Sequence, residues 1–223
     1  LDRSGTAVAG SAALSGDGRT LTFTPAAPLA AETGYTVSVS GLTSTDGASL
    51  PTQTWSFTTG IDDTGTTSLF TDVTPATAAA DDTSPIELGT RFTPSQDGTV
   101  TAVRFYKGAG NTGTHVGSLW TAGGNRLGQV TFSNESATGW QTATFATPIA
   151  VTAGTTYVVS YYAPVGRYAA SPGYFATPRT VGPLTAPSGS NGVYRYGSGG
   201  GFPAGSYNST NYFVDVVFRA TSP

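Results

Sequence analysis

The sequence contains no cysteine and no methionine. Without thiols there is no disulfide framework, no zinc–thiolate or iron–sulfur site and no thiol nucleophile. Without methionine the chain does not start at an initiator and is expected to be a mature or excised piece of something longer. Charge is scarce too: charged residues are 10% of the 223, against about 25% in an average domain. Lys107 is the only lysine, Glu32, Glu87 and Glu135 are the only glutamates, and the net charge is -3. Such a surface has little with which to displace phosphate counterions, which excludes nucleic acid as a default partner. No apolar run approaches the ~20 residues of a membrane-spanning helix, so no membrane span is expected.

What is abundant is threonine, serine, glycine and alanine, with 30 Gly and 14 Pro. Helices draw on Glu, Lys, Leu, Gln and Arg, whereas Thr, Val, Tyr and Phe suit a pleated surface. The expected fold class is all-β. Thr-rich, Lys-poor composition is also common in secreted bacterial modules, and the expected location is extracellular or at the cell surface.

Short strands separated by turn residues fill the first sixty positions. Leu14–Phe23 carries Gly16-Asp17-Gly18 between two extended arms, a hairpin signal. Tyr35, Val37 and Val39 alternate onto one face, and Trp55 and Phe57 are expected to point inward. Residues 61–67, polar and glycine-punctuated, read as a linker. The run Gly18-Arg19-Thr20-Leu21-Thr22-Phe23-Thr24-Pro25, with Pro28-Leu29, Tyr35–Val39 and Trp55-Ser56-Phe57-Thr58-Thr59-Gly60, resembles the bacterial Ig-like domain family. The likeness covers roughly the C-terminal half of such a domain, which needs about 100 residues for seven strands. Residues 1–60 are therefore expected to form a partial Ig-like β-sandwich whose open edges and apolar face invite another chain or segment.

From residue 68 the strand candidates are Ile86–Phe92, Val100–Tyr106, Gly117–Thr121, Leu127–Phe132, Gln141–Phe145, Thr156–Tyr162, Val193–Tyr196 and Tyr212–Arg219. This spacing, without helical periodicity, predicts a larger jelly-roll-type β-sandwich over 68–223. The stretch 163–192 holds too much Pro and Gly for a regular strand and reads as a long loop. Several runs resemble domain-of-unknown-function family 4082: Pro85-Ile86-Glu87-Leu88-Gly89, Arg104–Gly108, Asn111–Trp120, Gly139-Trp140-Gln141, Ala153–Tyr161 and Asn211–Phe218. The resemblance implies a module of large secreted actinobacterial-type proteins beside Ig-like repeats, and it supplies no activity.

Few residues carry chemistry. His115 is the only histidine, and no Gly-x-Ser-x-Gly elbow accompanies it. Three readings stand for it: a brace for the Thr114–Gly117 turn, a ligand contact, or an acid–base centre. Most acids sit in turns, and a cleft with paired carboxylates is not indicated, so the chain is read as non-catalytic. Glu87 and Asp215 interrupt apolar strands at opposite ends of the second segment. A buried carboxylate needs a partner, which is either an arginine (Arg91, Arg104 or Arg219) or a structural calcium ion shared with Asp81-Asp82 if the two converge.

Eight of the eleven tyrosines lie between Tyr161 and Tyr212. Their flat rings with a polar tip suit the C–H faces and hydroxyls of sugars. The candidate ligand-binding residues are Tyr106, Asn111, His115, Trp120, Tyr168, Tyr174, Tyr194 and Tyr196, with Thr114, Asn191, Asn208 and Asn211 as orienting amides and hydroxyls. Trp120 stands equally as core, and the loop tyrosines equally as self-packing. The expected role is an accessory module binding polysaccharide beside neighbouring domains of its parent chain; the alternative is a structural or adhesive spacer.

Overall fold

The computed structural model describes residues 1–3, 5–27, 29, 33–58, 65–71 and 73–221. Most of the expected linker, 61–64, lies outside the described residues, as do Pro28 and the Thr59-Gly60 end of the Ig-like pattern. The chain divides into two compact units, Leu1–Thr64 and Gly65–Pro223. Every strand pair described is antiparallel.

In the first unit the strands are β1 (Asp2–Arg3), β2 (Thr6–Ala7), β3 (Gly10–Leu14), β4 (Leu21–Pro25), β5 (Gly34–Val39) and β6 (Gln53–Thr58). One sheet runs β2-β1-β5-β6, and β3 and β4 pair by themselves. The hairpin turn closes because Asp17 accepts hydrogen bonds from the Ser15 hydroxyl (2.5 Å) and the Arg19 amide (3.2 Å), while Gly18 takes a φ of 69° that a side chain disfavours. Tyr35 stands opposite Phe57 in the register, is buried, and stacks on it at 5.8 Å. Trp55 and Phe57 lie on that apolar face but are not inward: they are 52% and 39% exposed, and Leu14 and Leu21 are exposed as well. The physical reason is that β6 is an edge strand, paired only with β5 among the described residues, so its side chains have a neighbouring strand on one flank alone.

The second unit is a β-sandwich. Its strands are β7 (Thr66–Thr67), β8 (Ile86–Pro94), β9 (Gly98–Lys107), β10 (Val116–Thr121), β11 (Arg126–Thr131), β12 (Gly139–Val151), β13 (Tyr157–Ala163), β14 (Arg179–Val181), β15 (Leu184–Ala186), β16 (Gly192–Tyr196), β17 (Gly205–Ser206) and β18 (Val214–Ala220). The chain alternates between sheets in jelly-roll fashion. One sheet runs β11-β10-β13-β8-β15-β14, with β16 also on β8 and β17 on β16; the other runs β12-β9-β18-β7. Thr66–Thr67 thus belongs to the sandwich, paired with β18. Leu88, Phe92, Val159, Tyr161 and Leu119 from one sheet meet Val103, Phe105, Phe145, Val214 and Phe218 from the other in one core. At its centre Phe105 stacks on Tyr161 with ring centroids 4.1 Å apart. The 163–192 stretch is not wholly irregular. Gly182, at φ 50°, turns the β14–β15 hairpin, which joins the larger sheet at Thr93 and Pro94.

Asp215 ties the start of this unit to its end. Its fully buried carboxylate accepts the amides of Leu69 and Phe70, both at 2.9 Å, and of Val216, with the Arg104 guanidinium 3.9 Å away. Burial pushes its carboxyl up to about 6, against the pull of these amides and of Arg104. Asp215→Ala leaves three buried N–H groups unpaired and should cost about 3–5 kcal/mol in a denaturant melt. Asp215→Asn, which keeps one acceptor oxygen, should cost less.

Candidate functional site

Three of the tyrosines singled out in the sequence, Tyr168, Tyr194 and Tyr196, come together at the edge of the sandwich. Tyr194 and Tyr196 lie two residues apart on β16 and so share a face, the one on which β8 carries their register partners Leu88 and Ile86. Tyr168 enters from the segment after β13, which is clasped to residues 77–80 by reciprocal Thr77–Ala170 backbone bonds and by the Ala80 amide on the Tyr168 carbonyl. Tyr194 meets Tyr196 edge-on at 5.6 Å and Tyr212 at 6.3 Å, and Tyr168 meets Tyr212 at 5.9 Å. Asp82 is the hub. One of its oxygens accepts the Tyr196 hydroxyl at 2.6 Å and the Tyr168 hydroxyl at 3.3 Å, and the other accepts the Ser84 amide. Burial raises its pKa, but these donors outweigh it and hold the carboxyl below its ordinary range; both phenols are pushed upward. The result is a fixed aromatic surface. Tyr196 is 51% exposed and Tyr207, near enough to Tyr212 to act on it electrostatically, is 67% exposed, while Tyr212 is buried.

The other candidates lie elsewhere. Tyr174 packs against Phe70, Phe175 and Phe213, and Tyr106 against Trp140 and Phe213. Asn111 and His115 are completely buried. His115 Nδ1 lies 2.9 Å from both Glu135 oxygens, its Nε2 lies 2.8 Å from Asn111 Oδ1, and Lys107 bonds Glu135 at 2.8 Å. Burial holds the imidazole below its usual pKa despite Glu135. With its ring at the core beside Phe105 and Tyr161, His115 braces the approach to β10.

Glu87 and Asp215 do not converge; they sit in different sheets with different partners. Among the described residues no three His, Asp or Glu side chains gather as a metal cage. Glu87 faces the outer side of the larger sheet. There Trp120 Nε1 donates to Ser160 Oγ (2.7 Å), which donates to Glu87 Oε1 (2.5 Å). A glycine loop covers this row: Gly201 N approaches Glu87 Oε2 at 3.3 Å, Gly199 N donates to Tyr162 Oη at 3.1 Å, and Arg195 donates to the Gly200 carbonyl. A Cβ at Gly200 would stand 2.5 Å from the Glu87 carboxylate, so the loop needs glycine to close. Phe202 completes the cover against Trp120.

Sequence reasoning grouped Asp82 with calcium ligands and passed over its part in the tyrosine cluster. Nothing local marks it; its partners are far along the chain. Glu135 was missed as the partner of His115 for the same reason.

Burial pushes the Glu87 carboxyl from 4.5 up to about 7, more than Ser160, Gly201, Arg195 and Arg126 pull it down. The folded state holds this proton more tightly than the unfolded chain. The stability it contributes is therefore complete below about pH 4.5 and is lost as pH rises through 7. Glu87→Gln should flatten the pH dependence of the melting free energy across this window by on the order of 3 kcal/mol.

The model of the bacterial Ig-like domain matches residues 1–59. No curated protein matches the chain. The model of the domain of unknown function (DUF4082) matches residues 72–214, which covers most of the sandwich and includes both the Asp82 hub and the Glu87 row. By that match the chain belongs to the DUF4082 family, and it carries bacterial Ig-like sequence ahead of that domain.

Proposed function

We propose that this accessory module of a bacterial protein is secreted or displayed at the cell surface and binds carbohydrate through Tyr196, Tyr194, Tyr168 and Tyr207. One observation carries the reading: Asp82 holds two phenols by their hydroxyls, so that rings left partly open to solvent are already ordered. Rings fixed before binding lose little rotamer entropy when a sugar stacks on them. The polymer so recognised is neutral: the ionised Asp82 repels an acidic ligand, and its oxygens are already engaged by Tyr196, Tyr168 and the Ser84 amide, which leaves little for a cationic one. Low charge also fits a module that must stay near an uncharged polymer without attracting counter-charged partners.

A second reading has its own observation. Leu14, Leu21, Trp55 and Phe57 of the first unit are exposed, which favours a spacer or adhesive role for that unit through an apolar contact.

Isothermal titration of the whole chain against a panel of neutral polysaccharides tests the carbohydrate reading. Tyr196→Ala should weaken the best ligand about tenfold, since an aromatic contact is worth about 0.5–1.5 kcal/mol beyond its area. Tyr196→Phe, which keeps the ring but removes the hydroxyl that Asp82 holds, should lose less affinity than Tyr196→Ala, and both variants should remain folded by circular dichroism. A folded protein giving no heat with any glycan, or a Tyr196→Ala variant that binds like the parent, overturns the reading.

A further inference from the structure

On the outer face of the larger sheet, beyond the Glu87 row, lies an open recess of about 290 Å³. That size falls near the lower end of ligand pockets, about 300–1,000 Å³, and suits one small ring. Arg91, Asn191, Ser188, Ser190 and Ser206 line it. Arg91 follows Glu87 and Gly89 by alternation on β8 and so shares their face, opposite to that of Tyr194 and Tyr196.

Three features set this recess apart from an ordinary surface dip. The Arg91 guanidinium makes no ion pair among the described residues, where the other close pairs engage Arg104, Lys107, His115 and Arg167. Asn191 is 1% exposed, yet neither its side-chain nitrogen nor its side-chain oxygen meets a partner among the described residues. Buried polar groups are nearly always paired, and each exception calls for an explanation. The wall is also built in advance: Gly189 N donates to the Phe175 carbonyl (2.7 Å), Asn191 N to the Gly189 carbonyl (2.8 Å), and Arg91 N to the Asn191 carbonyl (3.0 Å).

The chemistry of this lining defines what fits it. A guanidinium matches a planar carboxylate with two parallel bonds. A carboxamide and three hydroxyls both donate and accept, as a polyhydroxylated ring requires. No acidic side chain lines the recess, so an ammonium group has no counter-ion there, which disfavours an amino acid. We propose that this recess binds a sugar acid, with Arg91 on its carboxylate and Asn191 and the serines on its hydroxyls. The site stands apart from the tyrosine surface and is independent of it.

The test titrates the full chain with glucuronate, glucose, acetate and inorganic phosphate, following amide chemical shifts by NMR. Glucuronate should bind saturably and shift Arg91, Ser190 and Asn191; glucose, which lacks the charge-assisted bond to Arg91, and acetate, which lacks the hydroxyls that Asn191 and the serines would bind, should each be at least about tenfold weaker. Arg91→Gln, which replaces a side chain with no ion pair, should fold and lose about tenfold or more in affinity. Asn191→Asp, which sets a like charge against the carboxylate, should do the same, and Tyr196→Ala should bind glucuronate unchanged. Phosphate binding as tightly as glucuronate would make the recess a general anion hole and overturn the assignment. Absence of any saturable shift, which leaves a recess holding water only, overturns it equally.

Discussion

The sandwich depends on the Asp215 carboxylate more than on any other polar group. It sits on β18 at the end of the second unit and takes the amides of Leu69 and Phe70 near that unit's start. That pairing brings two fully buried side chains into the core, where Phe70 meets Tyr174, Phe175 and Phe213. A side chain thereby takes the place of a strand partner: residues 69 and 70 follow β7 but make no ladder of their own. Burying the charge is costly, as its raised pKa shows. The structure accepts that cost because the alternative is two orphaned amides at the same depth.

The same device recurs on both faces of the larger sheet. Asp82 organises irregular chain at the sandwich edge by gathering phenols, and Glu87 organises the glycine loop over the outer face through Ser160 and Gly201. In a sequence with so few charges, these three carboxylates act as fixed points to which non-strand segments are tied. Chain between the ties can carry glycine and proline freely, since its geometry comes from the acceptor and not from local propensity.

Strand positions were legible because alternation and turn residues are local. β8, β10, β13 and β16 fall within a few residues of their expected spans. β9 shows where simple alternation stops being enough. Val100, Val103 and Phe105 all reach the core, which strict period two forbids, because the register with β18 shifts between Val217 and Phe218 and leaves Thr101 as an extra residue. The β14–β15 hairpin escaped notice because strands of three residues beside Gly182-Pro183 carry too little pattern to register. The convergence of Tyr168, Tyr194 and Tyr196 was legible only as a cluster in sequence. Which tyrosines join it, and that Tyr174 turns instead to Phe70 and Phe213, is set by long-range contacts that no window of sequence contains.

The two proposed sites differ in how each face treats its polar groups. At the tyrosine edge the Asp82 carboxylate keeps its charge but has its oxygens engaged by two hydroxyls and an amide, so what the edge leaves open is ring face. Around Arg91 the balance is the reverse: a guanidinium with no carboxylate and a carboxamide with no partner among the described residues are the unspent capacity of the outer face. The proposed neutral polymer would thus lie along the first surface, and the proposed sugar acid would enter the second. The strand β16 and the residue that precedes it link the two, with Tyr194 and Tyr196 on one side of the sheet and Asn191 against Arg91 on the other. One extended segment thus contributes to both proposed sites because successive side chains on a pleated strand point to opposite faces.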